Sequence, residues 1–170
     1  MRRIYRLLYY HFAIYLPKSY RWWGIGRIIR YALCKRIFEY CGENVNIEQG
    51  AFFGAGIHVR IGNGSGIGIN ASIPDGTVIG ENVMMAPNVY VHNRNHRFDR
   101  TDIPMRYQGY SEEKPLIVED DVWIGQDVTI MVGRKISMGS IVAANTVLTK
   151  DFPPYSIIGG NPSKLIRSRI

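Results

Sequence analysis

The chain has 170 residues, of which 46% are hydrophobic and 21% charged, and a formal net charge of +7. That suits one domain with a buried core and at most a small appendage. Its two cysteines, Cys34 and Cys41, exclude a disulfide scaffold, a CxxC redox pair and a cysteine-rich zinc site, and point to a reducing cytoplasm. No apolar run approaches the ~20 residues that cross a bilayer. Leu7–Leu16 is interrupted by His11, and Leu16-Pro17-Lys18 is no signal-peptidase site.

The charge is unevenly placed. Residues 1–40 hold nine Lys or Arg against one acid, Glu39, whereas residues 41–170 hold twelve basic and thirteen acidic side chains. The basic segment also carries eleven Tyr, Phe and Trp residues. It reads as an amphipathic helix over 2–16 ended near Pro17, a break at Gly24-Ile25-Gly26, and a second helix over Arg27–Tyr40 stopped by Cys41-Gly42. The first expectation for residues 1–41 is a helical appendage that packs on the rest and leaves a solvated basic face. The second is peripheral association with an anionic membrane surface. Nucleic acid is not expected as a partner, because no recognised binding motif accompanies the charge.

From residue 42 onward the apolar period is six. Ile47, Phe53 and Val59 are followed, after a two-residue shift, by Ile61, Ile67, Ile73, Ile79, Met85 and Val91. A second train runs Val118, Ile124, Ile130, Ile136, Val142, Leu148. A six-residue period matches neither a 3.6-residue helix nor a long half-buried strand. It fits a chain that turns every six residues and stacks each branched side chain on its equivalent in the next coil, a β-helix in which only stacking buries a core. Gly62, Gly68, Gly80 and Gly125 follow four of the leads and are expected to allow tight corners. Val83, Val89, Val122 and Val128 sit four places after theirs, where branched residues fill a corner. The interval from Val91 to Val118 is no multiple of six, so a polar loop near residues 92–116 projects from the coil, the kind of excursion on a rigid scaffold that carries function.

Of four histidines, His11 and His58 read as surface or structural residues. His92 and His96 flank the start of the excursion, where an imidazole can serve as a general base near neutral pH. Their HxxxH spelling lacks the glutamate and the helix of a zinc site, so no metal is expected. There is no GxSxG elbow, no dinucleotide fingerprint and no phosphate loop. On the residues alone the reading stops at a β-helix with one histidine-bearing loop, and a purely structural scaffold stays open.

Three stretches are more specific: Ile79-Gly-Glu-Asn-Val-Met-Met-Ala-Pro-Asn-Val leading into Asn95-His96-Arg97-Phe98; Ile117-Val-Glu-Asp-Asp-Val-Trp-Ile-Gly; and the ending Val147-Leu-Thr-Lys-Asp-Phe-Pro-Pro-Tyr-Ser-Ile-Ile-Gly-Gly-Asn-Pro-Ser-Lys-Leu-Ile. Over about residues 42–170 these resemble the hexapeptide-repeat acyltransferases, in the branch of the maltose, galactoside and capsular-sugar O-acetyltransferases. The resemblance implies an all-β core in a left-handed parallel β-helix, a homotrimer with active sites between subunits, and acetyl-CoA as donor. It implies a sugar O-acetyltransferase in capsular, exopolysaccharide or lipopolysaccharide synthesis; serine, amino sugars or antibiotics are the alternative acceptors. His96 matches the family's base. Trp123 matches the tryptophan that frames the thioester arm, Gly125 and Ala143 the wall along the pantetheine, and Thr149 and Lys150 the end that meets the nucleotide; Lys164 and Arg167 are further candidates for its phosphates. In the small-sugar enzymes an acceptor-binding asparagine falls where this chain has Gly68, so Asn70, two residues on, is the candidate for acceptor contact.

Overall fold

A computed structural model describes residues 1–170. Two helices, α1 (Arg2–His11) and α2 (Ile25–Ile37), precede a parallel coil of two-residue strands. No helix is long and apolar enough to cross a membrane. The coil is a left-handed β-helix with three faces. The first face stacks Tyr40–Cys41, Arg60–Ile61, Val78–Ile79, Ile117–Val118 and Lys135–Ile136. The second begins with Asn46–Ile47 and Gly66–Ile67 and continues through Met84–Met85, Trp123–Ile124, Ile141–Val142 and Ser156–Gly159. The third carries bridges from Phe52 to Ser72 and Tyr90, then Tyr90–Val91, Thr129–Ile130 and Val147–Leu148. Side chains alternate in and out along a strand, so the second residue of each pair points into the prism. Ile47, Ile61, Ile67, Ile124 and Ile130 are fully buried there.

Three residues after a lead, the backbone turns left-handed. Asn44, Asn70, Asn82, Asn88, Asp121, Asp127 and Asn145 hold φ between 53° and 59°, and Gly50, Gly64, Gly76, Gly133 and Gly139 take the same place. Asn, Asp and Gly are the residues that visit this region at least cost. The glycines expected to make the corners do something else. Gly62, Gly68, Gly80 and Gly125 have no positive φ, but coil stacks on coil there. A Cβ at Gly62 would lie 2.6 Å from Gly80, one at Gly125 2.5 Å from the Ala144 nitrogen, and one at Gly68 would run into the Ala86 carbonyl. The two extra residues of the first coil lie in the turns around Gly54–His58, so Val59 fills a corner as Val83, Val89, Val122 and Val128 do, all of them buried.

The helical segment closes the open end of the coil. The inner face of α2 is Gly26, Arg30, Cys34 and Ile37, and α1 contributes Tyr9, whose hydroxyl donates to the Ala51 carbonyl at 2.8 Å. Tyr9 and Phe38 pack on Phe53, the bulkiest lead of the first coil, at ring-centroid distances of 4.5 and 4.8 Å. Two boundaries differ from the sequence reading. The first helix ends at His11 and continues only as a short 3-10 turn over Ala13–Tyr15. The second starts at Ile25, because Gly24 at φ 75° caps it and Gly26 lies inside it against the Pro17 carbonyl; it ends at Ile37, where Phe38 turns extended so that Tyr40–Cys41 can join the first face.

Candidate functional site

The excursion leaves the coil after Val91. His92 still belongs to the third face: its amide donates to the Ile130 carbonyl at 2.9 Å and its ring stands edge-on to Tyr90. Beyond it the chain is not an unsupported loop. The amides of Ser111 and Lys114 donate to the carbonyls of Asn95 and Asn93, and that of Arg97 to Gly109, which zips the base of the excursion into an irregular antiparallel ribbon. His96 bridges Tyr110 in this ribbon. The two rings lie 4.4 Å apart, and the Arg94 guanidinium sits 4.3 Å from the other partner of that stack, the Tyr110 ring centroid, tied in turn to Glu113 at 3.3 Å. His96 is exposed, and neither of its ring nitrogens bonds within the chain. An imidazole fixed by its face with both nitrogens open is suited to moving protons. The sequence names Tyr110 and Arg94 only as part of the excursion; no local pattern marks a stack formed across fourteen residues.

A second feature runs along the corner after the second face. From the second coil on, the residue following each lead there is small, Gly68, Ala86, Gly125, Ala143 and Gly159, whereas Glu48 follows Ile47 in the first. Ala86, Trp123, Gly125, Ala143 and Ala144 line a shallow, mostly apolar cleft of about 430 Å³. Three of the residues assigned to the donor thus meet: Trp123, half exposed beside Met84 and Ile141 on the neighbouring coils, forms one side, and Gly125 and Ala143 form the floor. Asn70 lies on the same corner, further toward the start of the coil. Its side chain takes part in a ladder, from Asn70 to Asn88 at 3.4 Å and from Asn88 to Asp127 at 2.9 Å. The left-handed φ gives Asn70 a structural reason to be asparagine besides any contact with an acceptor.

Thr149, Lys150 and Lys164 gather at the end of the coil. After Gly159 the chain crosses over, Ser163 receives the Thr149 amide at 3.0 Å, and Lys164–Ser168 returns antiparallel to Ser156–Gly159. Lys150 extends over Phe152, and Lys164 lies opposite Gly159. Arg167 is at the other end of this return strand, opposite Ile157 and apart from that group. Neither cysteine is a candidate nucleophile: burial pushes the Cys41 thiol up to about 11 and holds that of Cys34 well above its ordinary value. His58 stands at a turn, its imidazole 3.0 Å from Asp75.

The repeat is also recognised by comparison. The bacterial transferase hexapeptide (six repeats) family model matches residues 58–93, and the model for the hexapeptide repeat of succinyl-transferase matches residues 115–150. The galactoside O-acetyltransferase of Escherichia coli is 33% identical over 140 residues, covering 81% of this chain and 68% of that protein. The chain belongs to the hexapeptide-repeat transferase family. Among solved structures, a hexapeptide-repeat acetyltransferase of Vibrio cholerae aligns with a TM-score of 0.80 at 30% identity, over 98% of this chain and 89% of that one. A galactoside acetyltransferase in complex with coenzyme A aligns with a TM-score of 0.80 at 28% identity, over 98% and 80%. A Saccharomyces cerevisiae protein that carries an acetyltransferase name is 38% identical over 86 residues, 51% of this chain, and the chain spans only 42% of that relative.

Proposed function

We propose that the protein is an acetyl-CoA-dependent O-acetyltransferase acting on a sugar hydroxyl, as a homotrimer whose sites lie between subunits, in the building of a cell-surface polysaccharide. One observation carries the reading. The excursion with His96 leaves the prism at the corner after the third face, whereas the cleft of small residues runs along the corner after the second. A histidine on one corner and a donor cleft on another fit a site that takes His96 from one copy and the cleft from the next, around a three-fold axis. The relatives named acetyltransferases, and one solved with coenzyme A, support the donor.

The chemistry follows from the positions. Acetyl-CoA lies along Gly125 and Ala143, where a side chain larger than methyl would block the thin pantetheine arm, with Trp123 beside the thioester. Lys150 and Lys164 at the end of the coil face the phosphates. The acceptor hydroxyl approaches His96, which takes its proton as the oxygen attacks the thioester carbon. When the tetrahedral centre collapses, the carbon–sulfur bond breaks and the imidazolium returns the proton to the thiolate. Transfer is direct, and holding the two substrates together supplies much of the acceleration.

The test is thiol release from acetyl-CoA against a panel of sugars, serine, amino sugars and chloramphenicol. Sugars should turn over fastest, and His96→Ala should lose about 10²–10⁴ in kcat, the span of a general base, with fold and mass unchanged. His92→Ala, whose amide stays in the coil ladder, should lose much less. A His96→Ala protein with near-normal turnover overturns the reading, and a preference for chloramphenicol or serine replaces the acceptor while keeping the base.

A further inference from the structure

We propose that the outer face of the helical cap is a docking surface for an anionic lipid bilayer, with the Trp22–Trp23 turn as its point of insertion. The argument begins with an outlier. Trp22 and Trp23 both have φ 51°, and Gly24 follows at 75°. Two bulky residues in succession in the left-handed region are costly and persist only where the surroundings impose them. Here the strained turn does not bury the rings. It leaves Trp22 69% and Trp23 95% exposed. Tryptophan has the largest apolar surface of any side chain, and its N–H gives it a place at a water–lipid boundary.

The helices extend the same face. Their inner sides are occupied in closing the coil. On the outer side of α1 and its C-cap, Ile4, Leu8 and Phe12 recur every four residues and are about half exposed, and Ile25 and Ile28, one turn apart on α2, are exposed to a similar extent. A helix apolar on both sides has a second partner besides its own core.

Charge identifies that partner. From Met1 to Phe38 there is no acidic residue. Of the nine cations in that stretch only Arg30 and Lys35 meet a carboxylate; Arg36 donates to the Tyr5 hydroxyl at 3.2 Å, and Arg2, Arg3, Arg6, Lys18, Arg21 and Arg27 stay unpaired around the apolar stripes. A second copy of so uniform a face would set cation against cation. An anionic bilayer offers apolar depth to the tryptophans and phosphates to the arginines, whose stems can lie along the apolar surface. The cap covers the first coil, whereas the cleft and the excursion belong to the third and later coils, so docking leaves them facing water. The surface does not depend on the acetyltransferase reading, and its test uses no substrate.

The experiment is flotation of the full chain with vesicles of phosphatidylcholine alone or mixed with phosphatidylglycerol, at low and high salt, with solution mass and far-ultraviolet circular dichroism recorded for each protein. The chain should bind the anionic vesicles, bind phosphatidylcholine at least about tenfold more weakly, and release as salt rises. Its tryptophan emission should be quenched by bromine-labelled lipid. Trp22→Ser with Trp23→Ser, and Arg2, Arg3 and Arg6→Gln together, should each lose about tenfold in binding with the dichroism unchanged. Failure of the unaltered chain to bind anionic vesicles at low salt overturns the proposal, as does binding without quenching, neither of which depends on a variant folding. If the unaltered chain ignores vesicles and the double tryptophan variant falls to a smaller mass, the face belongs to a second copy instead.

Discussion

Arg30 is a fully buried guanidinium at the junction of cap and coil, and replacing it by methionine tests how the two are joined. Its Nε donates to the Ile47 carbonyl at 2.6 Å, one terminal nitrogen donates to Leu16 at 2.8 Å, and both reach Pro17 at 3.2 Å; Glu48 lies 3.8 Å away. Methionine fills the stem but donates nothing, so three carbonyls lose their partner. At about 1–3 kcal/mol per unsatisfied buried group, with water able to reach the part-buried Leu16 and Pro17 carbonyls, the loss should come to about 3–5 kcal/mol, the range for breaking a buried pair from one side. Burial pushes the Glu48 carboxyl up, but hydrogen bonds from the Ser19 hydroxyl and amide, the Asn46 amide and the Gln49 N–H outweigh it and hold the group below the usual carboxylate range. A lowered folded value gives stability that is present above the unfolded value, about 4.3 for glutamate, and is lost as pH falls through the folded one. The cap should therefore loosen on the acid side of that value, and Glu48→Gln should remove that pH dependence. Urea titration at fixed protein concentration, read by tryptophan emission and by circular dichroism, measures both effects. A shift below about 0.5 kcal/mol for Arg30→Met, the size of an ordinary surface change, would refute the role given to this network.

The coil makes its own predictions. Gly68→Ala should cost about 1–3 kcal/mol by overpacking, because the Ala86 carbonyl in its way belongs to a neighbouring coil. Gly76→Asn should stay within about 0.5 kcal/mol, since asparagine tolerates the left-handed φ of 83° and the nearest atom to a new Cβ is 3.8 Å away; thermal melts of the two decide whether space or φ governs each column. Tyr110→Leu should lower kcat about tenfold through loss of the ring that backs His96, leaving KM for acetyl-CoA little changed, whereas Tyr110→Phe should behave as the unaltered enzyme. Equal kcat for all three proteins would make the stack incidental.

The period of six made the coil legible, because a stacked lead must be apolar in every turn: Ile61, Ile79, Val118 and Ile136 sit one above another on the first face. The corner code is present as well, in the Asn, Asp or Gly three places after every lead but Val91, beside a second column of small residues one place after several of them. The two columns answer different constraints, conformation in one and space in the other, and composition does not separate them. The helix ends were less legible, since α2 stops at Ile37 for the sake of a pairing between Tyr40 and Arg60, twenty residues away. The cleft could be anticipated at Trp123, Gly125 and Ala143 from the resemblance. The ribbon that supports His96 could not, because its bonds join Asn93–Arg97 to Gly109–Lys114 with no periodic pattern in either.

The separation of His96 from the cleft on two corners of one prism leads to a test by mixing. His96→Ala removes the proposed base and leaves the cleft. Ala143→Trp fills the cleft and leaves the base, at a position whose φ is not left-handed and whose side chain is only partly buried. Each protein alone should be inactive and should keep the mass of the unaltered enzyme. In trimers formed by co-expression in equal amounts, the proposed arrangement has each site draw its histidine from one copy and its cleft from the next. Random assortment then pairs an intact histidine with an intact cleft at about one site in four. About a quarter of the original turnover should return, although neither parent has any. Differently tagged chains, captured from a sample through one tag and probed for the other, verify that mixing occurred, and activity is read on the unfractionated protein. If mixed trimers stay inactive, each site is built from a single chain, and the ribbon must fold back to bring its own histidine over its own cleft. Return of activity well above a quarter would mean that the tryptophan leaves the cleft open, which the Ala143→Trp protein by itself would reveal.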